Sequence, residues 1–131
     1  MNDDVVARFL AFDGRVYWIG QGWSVRIRAW RTRPAAARPH GLRYALTLHD
    51  ETGARVLGFD NAHGVARRRT YDHQHRFGRL ADPVPYPFVD ADTLLVDFFK
   101  AVEQACREAG VDMTVEREET MPRTDGAEGE E

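Results

Sequence analysis

Residues 42–60 read LRYALTLHDETGARVLGFD. Apolar and polar side chains alternate along Leu42–His49, which is the period of a strand with one buried face. The following residues, 50–53, form a turn in which Gly53 can adopt the positive φ of a hairpin bulge. Arg55–Asp60 then returns as the partner strand. The stretch therefore predicts an antiparallel β-hairpin.

Two more strands are predicted upstream of this hairpin. Residues 16–19 are β-branched or aromatic, and the glycine-rich residues 20–22 form a turn before the next strand. Along residues 23–30 the alternation separates an apolar core face from a basic face. The apolar face holds Trp23, Val25, Ile27 and Ala29, and the other face holds Ser24, Arg26, Arg28 and Trp30. Residues 31–41 contain two prolines and a glycine and predict a loop.

The segments downstream of the hairpin are less regular. Residues 67–77 form a fifth extended stretch, but neither of its sides is apolar enough for a core strand. An edge strand or a ligand-facing surface is therefore expected there. Proline at alternate positions of residues 82–88 removes backbone donors and predicts an extended crossover.

A long helix is predicted between a cap at Asp90 or Asp92 and a stop at Gly110. A helix of about 18 residues is roughly 27 Å long, enough to cross a small sheet. Its apolar residues recur at helical spacing and mark the buried face: Leu94, Leu95, Phe98, Phe99, Val102, Ala105, Cys106 and Ala109.

Together these elements predict a single α+β domain over residues 1–115. An antiparallel sheet of about five strands would carry one long C-terminal helix packed across it. Residues 116–131 hold seven acidic residues in sixteen positions and offer little to bury. This composition predicts a disordered acidic tail.

Length and composition restrict the class of protein. A chain of 131 residues, 43% of them hydrophobic, can form one core but not two domains. Cys106 has no second cysteine to pair with, and residues 1–10 lack the pattern of a secretory signal, so a reducing cytoplasm is expected. No apolar run approaches the roughly 20 residues of a membrane helix, so no membrane association is expected.

Charge is distributed unevenly along the chain. Residues 15–79 hold thirteen Arg and four acidic residues, whereas residues 82–131 hold fourteen acidic and four basic residues. A basic body beside an acidic end is typical of nucleic-acid contact or of an acidic tail. Seventeen of the eighteen basic residues are Arg, whose planar fork suits phosphate. The base composition of the coding DNA is an equally good explanation of this bias.

His73 and His75 are the main candidates for chemistry. Residues two apart in a strand point the same way, so the imidazoles suit a metal ion or a pair of proton-transfer partners. A zinc site would need further ligands, for which Asp60, His63 and Asp72 are available. The alternatives are a metal-free acid–base or phosphate-binding role and ordinary surface histidines. We expect no metal and no cofactor, because nucleotide-binding glycine loops, CxxC pairs and HExxH helices are missing.

Several segments resemble the TumE-like family, small toxins of bacterial toxin–antitoxin pairs. The matching segments are residues 42–50, 55–63, 71–76, 86–88 and 94–99. The most specific are Asp-Asn-Ala-His at residues 60–63 and Asp-His-Gln-His at residues 72–75, and the resemblance covers roughly residues 23–106. Where the family often has further histidines, this chain has Arg67, Arg68 and Arg69, a departure that argues against a histidine-cluster metal site.

The resemblance implies a cytoplasmic toxin with a protein partner. That partner would be a helix-turn-helix antitoxin from a neighbouring gene, which neutralises the toxin and binds the DNA of the operon. The basic middle of the chain favours RNA as the target. A second copy of the chain, in a homodimer, is a further candidate partner.

Guided by the family motifs, we expect Asp60, His73 and His75 to be the catalytic residues. The resemblance itself implies no mechanism; if the protein cleaves RNA, we expect a metal-independent ribonuclease. One histidine would act as general base on a 2′-hydroxyl and the other as general acid. The expected substrate-binding residues are Asn61, His63, Arg67, Arg68, Arg69 and Arg76. The catalytic side chains should converge in a cleft open to solvent, near Arg69 or Arg76. The alternative function is a non-catalytic protein that acts by binding a partner protein or nucleic acid.

Overall fold

The computed structural model describes residues 1–36, 38–61 and 72–122. The elements in chain order are α1 (Asp3–Leu10), β1 (Arg15–Trp18), a 3-10 helix (Gly20–Gly22), β2 (Ser24–Arg31), β3 (Leu42–His49), β4 (Arg55–Asp60), β5 (His73–Arg76), β6 (Arg79–Pro85), α2 (Ala91–Ala109) and β7 (Arg117–Thr120).

The strands form one sheet in the order β6-β5-β4-β3-β2-β1-β7. Every neighbouring pair is antiparallel, including the predicted hairpin of β3 and β4. The sheet and the C-terminal helix confirm the predicted α+β class. Over the described ranges the sheet has seven strands, so the prediction of about five was too low.

The two unpredicted strands, β6 and β7, lie at the two edges of the sheet. β6 contains Pro83 and Pro85, and an edge strand tolerates proline because it needs backbone donors on one side only. β7 pairs with β1 through its backbone, and its side chains are all exposed, so no apolar pattern marks it. The prediction of a disordered tail is therefore wrong for Arg117–Thr120. Residues 123–131 lie outside the described residues.

β5 also differs from the expectation. Residues 67–71 of the predicted stretch lie outside the described residues, and the strand that is described covers His73–Arg76. It pairs with β4 on one side and with β6 on the other, so it is not an edge strand. The proline-rich segment expected as a crossover supplies β6 instead.

The register assigns the two faces of the sheet. Leu46 on β3 lies opposite Ile27 on β2 and Phe59 on β4, and each is at most 2% exposed. Phe59 packs edge-on against Phe98 of α2, with ring centroids 5.9 Å apart. The hydrophobic core therefore lies between this face and the helices.

α2 begins and ends where the sequence predicts. The Asp90 side chain accepts a hydrogen bond from the Thr93 N–H, and Gly110 closes the helix with φ 74°. The buried face consists of Ala91, Leu94, Phe98, Val102, Ala105 and Cys106. Leu95 and Phe99 were expected in this face but are only half-buried. No helix of the described segments is long and apolar enough to cross a membrane.

α1 is missing from the predicted elements, although the sequence carries its signals. The Asn2 side chain caps the helix by accepting a hydrogen bond from the Val5 N–H. Val6 and Phe9 face the core, where Phe9 meets Tyr44 edge-on with ring centroids 6.1 Å apart. A capping Asn, two Asp in the first turn and apolar residues three apart are enough to identify such a helix.

The opposite face of the sheet carries the basic residues, as predicted for residues 23–30. The register sets Arg26, Thr47 and Gly58 in one row across β2, β3 and β4. The next row holds Arg28, Ala45 and Asp60. We call this surface the basic face; it consists of Arg26, Arg28, Trp30, Arg43, Ala45, Thr47, His49, Arg55, Gly58 and Asp60.

Phe98→Ala should lower the free energy of unfolding by about 3–5 kcal/mol, because the side chain is fully buried and its removal leaves a cavity. Val96→Ala, on the exposed side of the same helix, should change it by less than about 0.5 kcal/mol. Urea denaturation of both variants checks this. Equal losses would show that the packed face of α2 is assigned wrongly.

Removal of residues 116–131 should lower Tm by roughly 4 °C or more, because β1 loses its partner strand. Removal of residues 123–131 alone keeps β7 and should leave Tm unchanged. It also keeps the hydrogen bond that the Met121 N–H donates to the Gly14 carbonyl. Calorimetry of both truncations measures the difference. An unchanged Tm in the longer truncation would support a tail that contributes nothing.

Candidate functional site

Asp60, His73 and His75 meet on the side of the sheet that the helices leave uncovered. Asp60 ends β4 and lies directly opposite His73, the first residue of β5. His75 is two residues further along β5, so it points to the same side as His73. We call these three residues the acid–base cluster.

A single carboxylate joins the two imidazoles. Asp60 Oδ1 lies 2.9 Å from His73 Nε2, and Asp60 Oδ2 lies 3.3 Å from His75 Nε2. The two imidazole rings meet edge to face at 74°, with centroids 4.9 Å apart. The structure therefore brings together the three side chains that the sequence analysis assigned to catalysis.

The second nitrogen of each imidazole has a different environment. His75 Nδ1 lies 3.0 Å from the Leu80 carbonyl, which can only accept, so Nδ1 carries a proton. The contact between His75 Nε2 and the Asp60 carboxylate is then favourable when Nε2 is protonated as well. Within the described residues, His73 Nδ1 is buried and has no hydrogen-bond partner.

The cluster has a cationic neighbour on β4. Arg55 Nη1 lies 3.6 Å from Asp60 Oδ2, and the Arg55 side chain is 37% exposed. The Asp60 side chain is 12% exposed and the His73 side chain 7%. A largely desolvated carboxylate is thus surrounded by a guanidinium and two imidazoles, which strengthens their electrostatic interaction.

The donor set of the cluster would also suit a divalent transition metal. The three ligand atoms lie within 4.8 Å of one another, and two imidazoles with one carboxylate are common ligands of zinc and iron. The carboxylate, however, already contacts His73 at hydrogen-bond distance and lies beside the positive charge of Arg55. Both contacts would compete with a cation for Asp60.

Of the predicted substrate-binding residues, Arg76 and Asn61 are within the described part of the chain. Arg76 forms an ion pair with Asp82 of β6 at 3.3 Å, so its guanidinium is engaged away from the cluster. His63, Arg67, Arg68 and Arg69 lie outside the described residues.

Asn61, which the sequence analysis assigned to substrate binding, occupies a buried structural position. Its side chain points to the face opposite Asp60 and is fully buried. The amide donates to the Leu42 carbonyl at 2.8 Å and to Asp72 Oδ1 at 3.3 Å. Its oxygen accepts the Tyr44 N–H at 3.0 Å. These contacts use the hydrogen-bonding capacity of the side chain, so we assign Asn61 to the fold.

Asp72 is the centre of a buried network that the sequence analysis missed. Its carboxylate accepts a hydrogen bond from the Tyr44 hydroxyl at 2.7 Å and lies 3.2 Å from His40 Nε2. His40 Nδ1 accepts from the Leu42 N–H, so Nε2 carries the proton that is donated to Asp72. Burial, followed by the charge of Asp72, raises the pKa of Tyr44 far above its ordinary value and keeps this donor protonated.

A cavity of about 780 Å³ lies beside this network, on the side of the helices. His40, Asp72, Tyr86 and Phe88 are among the residues that line it. His40 and Asp72 bind each other, and the Tyr86 hydroxyl donates to Asp97, so these three polar side chains of the cavity already have partners. We therefore place the candidate site at the acid–base cluster rather than in this cavity.

His49 lies opposite Arg55 on the basic face and one row from Arg26. His49 Nδ1 donates to the Gly53 carbonyl at 3.0 Å, and Nε2 accepts from the Thr47 hydroxyl at 2.9 Å, so both contacts suit the neutral ring. Burial lowers the pKa of His49; the Gly53 carbonyl raises it, and the positive charges of Arg26 and Arg55 lower it further.

Comparison with known proteins identifies one family. A family model described as Toxin TumE matches residues 4–106, most of the chain. The matched region contains all three residues of the acid–base cluster and extends into α2. No curated protein and no solved structure shows significant similarity to the chain.

His49 should make the protein less stable in mild acid. Its ordinary pKa is 6.5 and its folded pKa is lower, so the unfolded chain binds more protons as the pH falls through 6.5. The protein therefore becomes less stable as the pH falls. The negative charge of Asp50 raises the pKa of His49 and so weakens this effect. His49→Gln should reduce the difference between the unfolding free energies measured above and below pH 6.5. An identical pH dependence in the variant would contradict this role.

Proposed function

The chain belongs to the TumE toxin family, and on that premise we propose that it is the toxin of a bacterial toxin–antitoxin pair that cleaves RNA. The membership confirms the resemblance seen in the sequence. The RNA target and the catalytic role of the acid–base cluster are our proposal. The observation that carries them is the convergence of both imidazoles on Asp60, at 2.9 and 3.3 Å.

Two imidazoles held by one carboxylate can supply both proton transfers of RNA cleavage. In this reaction the 2′-oxygen attacks the adjacent phosphorus and the 5′-oxygen leaves, giving a 2′,3′-cyclic phosphate. One group must take the 2′-hydroxyl proton and another must protonate the 5′-oxygen. No metal is needed, and we propose a metal-independent reaction.

The contacts of the two rings distinguish their roles. We assign His75 as the general acid, because the Leu80 carbonyl holds a proton on its Nδ1 and the Asp60 carboxylate favours a second proton on its Nε2. The Nε2 proton would leave Asp60 for the departing 5′-oxygen, while the Leu80 carbonyl keeps the Nδ1 proton in place. His73 is then the general base. Arg55, beside Asp60, would stabilise the negative charge that develops on the phosphorane oxygens.

The proposed partners follow from the family. A toxin requires an antitoxin for the cell to survive, and we propose a helix-turn-helix protein from a neighbouring gene, acting in the cytoplasm. We also propose that the protein assembles as a homodimer. The proposed substrate contacts include His63, Arg67, Arg68 and Arg69.

One observation favours a second candidate function. Asp60 and His73 are 8% and 6% exposed and satisfy each other, as members of structural ion-pair networks do. In this alternative the protein inhibits growth by binding a partner protein or nucleic acid, without catalysis. The two functions predict different responses to substitution of the histidines.

His73→Gln and His75→Gln should each reduce RNA cleavage by about 100-fold or more, because each removes one proton-transfer group. Induced expression should then no longer arrest growth. Cleavage of total RNA by the purified protein, together with growth after induction, measures both effects. Gln74→Ala is the matched control, since it changes the same strand on the opposite face.

Folding and antitoxin binding separate this result from a structural effect. The variants should keep the wild-type circular dichroism spectrum and co-purify with the antitoxin. Toxic histidine variants would support the binding function. Loss of wild-type cleavage in EDTA, restored by zinc or manganese, would replace the metal-free mechanism with a metal centre.

A further inference from the structure

Beside the acid–base cluster the basic face has a strip of small side chains, Ala45, Thr47 and Gly58, which we call the trough. Small side chains make its floor, because Ala45 and Thr47 on β3 and Gly58 on β4 lie between β2 and β5. Ala45 and Thr47 are partly exposed. Three strand spacings of about 4.8 Å separate β2 from β5, so the trough is roughly 14 Å wide between backbones.

Gly58 allows Arg55 to lie across β4 toward the cluster. A Cβ at position 58 would be 3.3 Å from Thr47 Cγ2 and 3.6 Å from Arg55 Cδ. The aliphatic part of Arg55 therefore passes over Gly58, and its guanidinium ends 3.6 Å from Asp60 Oδ2. Any side chain at position 58 would occupy space next to this arginine.

Arg26 stands on the other side of the trough, opposite Thr47. Its Nε donates to Ser24 Oγ at 3.2 Å, and within the described residues its terminal nitrogens have no hydrogen-bond partner. Arg28, the next arginine along β2, differs because it donates to the Pro122 carbonyl at 2.7 Å. Arg26 and Arg55 are thus the arginines available to a ligand in the trough.

The charges of Arg26 and Arg55 both act on His49. Arg55 lies opposite His49, and Arg26 lies opposite Thr47, the next residue on the same face of β3. Both charges lower the pKa of His49. Two neighbouring guanidinium groups attract anions, and within the described residues only Arg55 of the two has a carboxylate partner, Asp60 at 3.6 Å. The carboxylate that is near, Asp60, is shared with the two imidazoles of the cluster.

We propose that Arg26 and Arg55 bind successive phosphates of a single-stranded RNA whose backbone lies along this trough and reaches the acid–base cluster. The proposal rests on the proposed function and specifies its substrate. The trough accommodates one strand, and its polar groups address phosphates rather than base edges. In-line attack by a 2′-oxygen also requires a strand that is free to leave helical geometry. Recognition should therefore depend on strandedness more than on sequence.

Binding of fluorescein-labelled RNA tests this proposal. The probes are single-stranded oligouridine and oligoadenine, a duplex of the two, and the matching oligothymidine DNA, all bound to the His75→Gln protein to prevent cleavage. Single strands should bind more tightly than the duplex. The DNA should bind nearly as well as RNA, because phosphates are the contacts, yet it should not be cleaved by the wild type.

Arg26→Gln and Arg55→Gln should each weaken binding by about tenfold and reduce the slope of log affinity against log salt by about 0.7. Arg107→Gln, exposed on α2 and far from the trough, is the charge-matched control and should bind as the parent does. Full affinity in the double Arg26→Gln, Arg55→Gln variant would overturn the proposal. So would tighter binding of the duplex.

The failure of this proposal can be told from the failure of the proposed function. RNA cleavage that depends on His73 and His75 but is unaffected by the arginine variants would contradict RNA binding in the trough and support the ribonuclease function. RNA binding that depends on the two arginines, without cleavage that depends on the histidines, would support the trough and contradict the ribonuclease function. Binding of the antitoxin alone, with no RNA bound at low salt, would assign the basic face to the protein partner instead.

Discussion

The buried carboxylate of Asp72 joins the start of β5 to the end of β4, to β3 and to the loop before β3. It accepts hydrogen bonds from Tyr44 on β3 and from Asn61 at the end of β4, and it meets His40 of the preceding loop. Burial of a carboxylate costs free energy, and the hydrogen bonds from Tyr44, Asn61 and His40 offset that cost here. The network therefore has to form completely, and it fixes the position at which β5 begins.

The acid–base cluster depends on that position. Asn61 follows Asp60 in the chain, and Asp72 precedes His73. The contact between Asn61 and Asp72 therefore aligns Asp60 with His73 on the opposite face of the sheet. A shift of β5 by one residue would turn both histidines toward the helices. The polar network on one side of the sheet thus determines the geometry on the other. This coupling explains why a fully buried asparagine follows the aspartate of the acid–base cluster.

Much of the fold follows from local pattern, because alternation and helical spacing record which side chains are buried. That is why β2, β3, β4 and α2 are predictable. The edge strands are not, since β6 and β7 are held by backbone hydrogen bonds that need no apolar side chains. The shared face of His73 and His75 follows from a period of two, and the same period indicates that Asp60 and Asn61 point apart. The contact between His40 and Asp72 has no local signal, because 32 positions separate them and the loop has no periodicity.

The composition of the two edges has a consequence for self-association. Exposed strand edges can recruit strands from other molecules, and natural sheets discourage this with proline and charge. β6 presents Pro83 and Pro85 at one edge, and β7 covers the other with the charged residues of Arg117–Thr120. The strand next to β7 is β1, which contains a valine and two aromatic residues. Its edge, if exposed, would pair with strands of other molecules far more readily. A protease that cut before β7 would therefore release a chain prone to edge-to-edge aggregation, so that cleavage at this one segment would remove the protein from solution before its core unfolded.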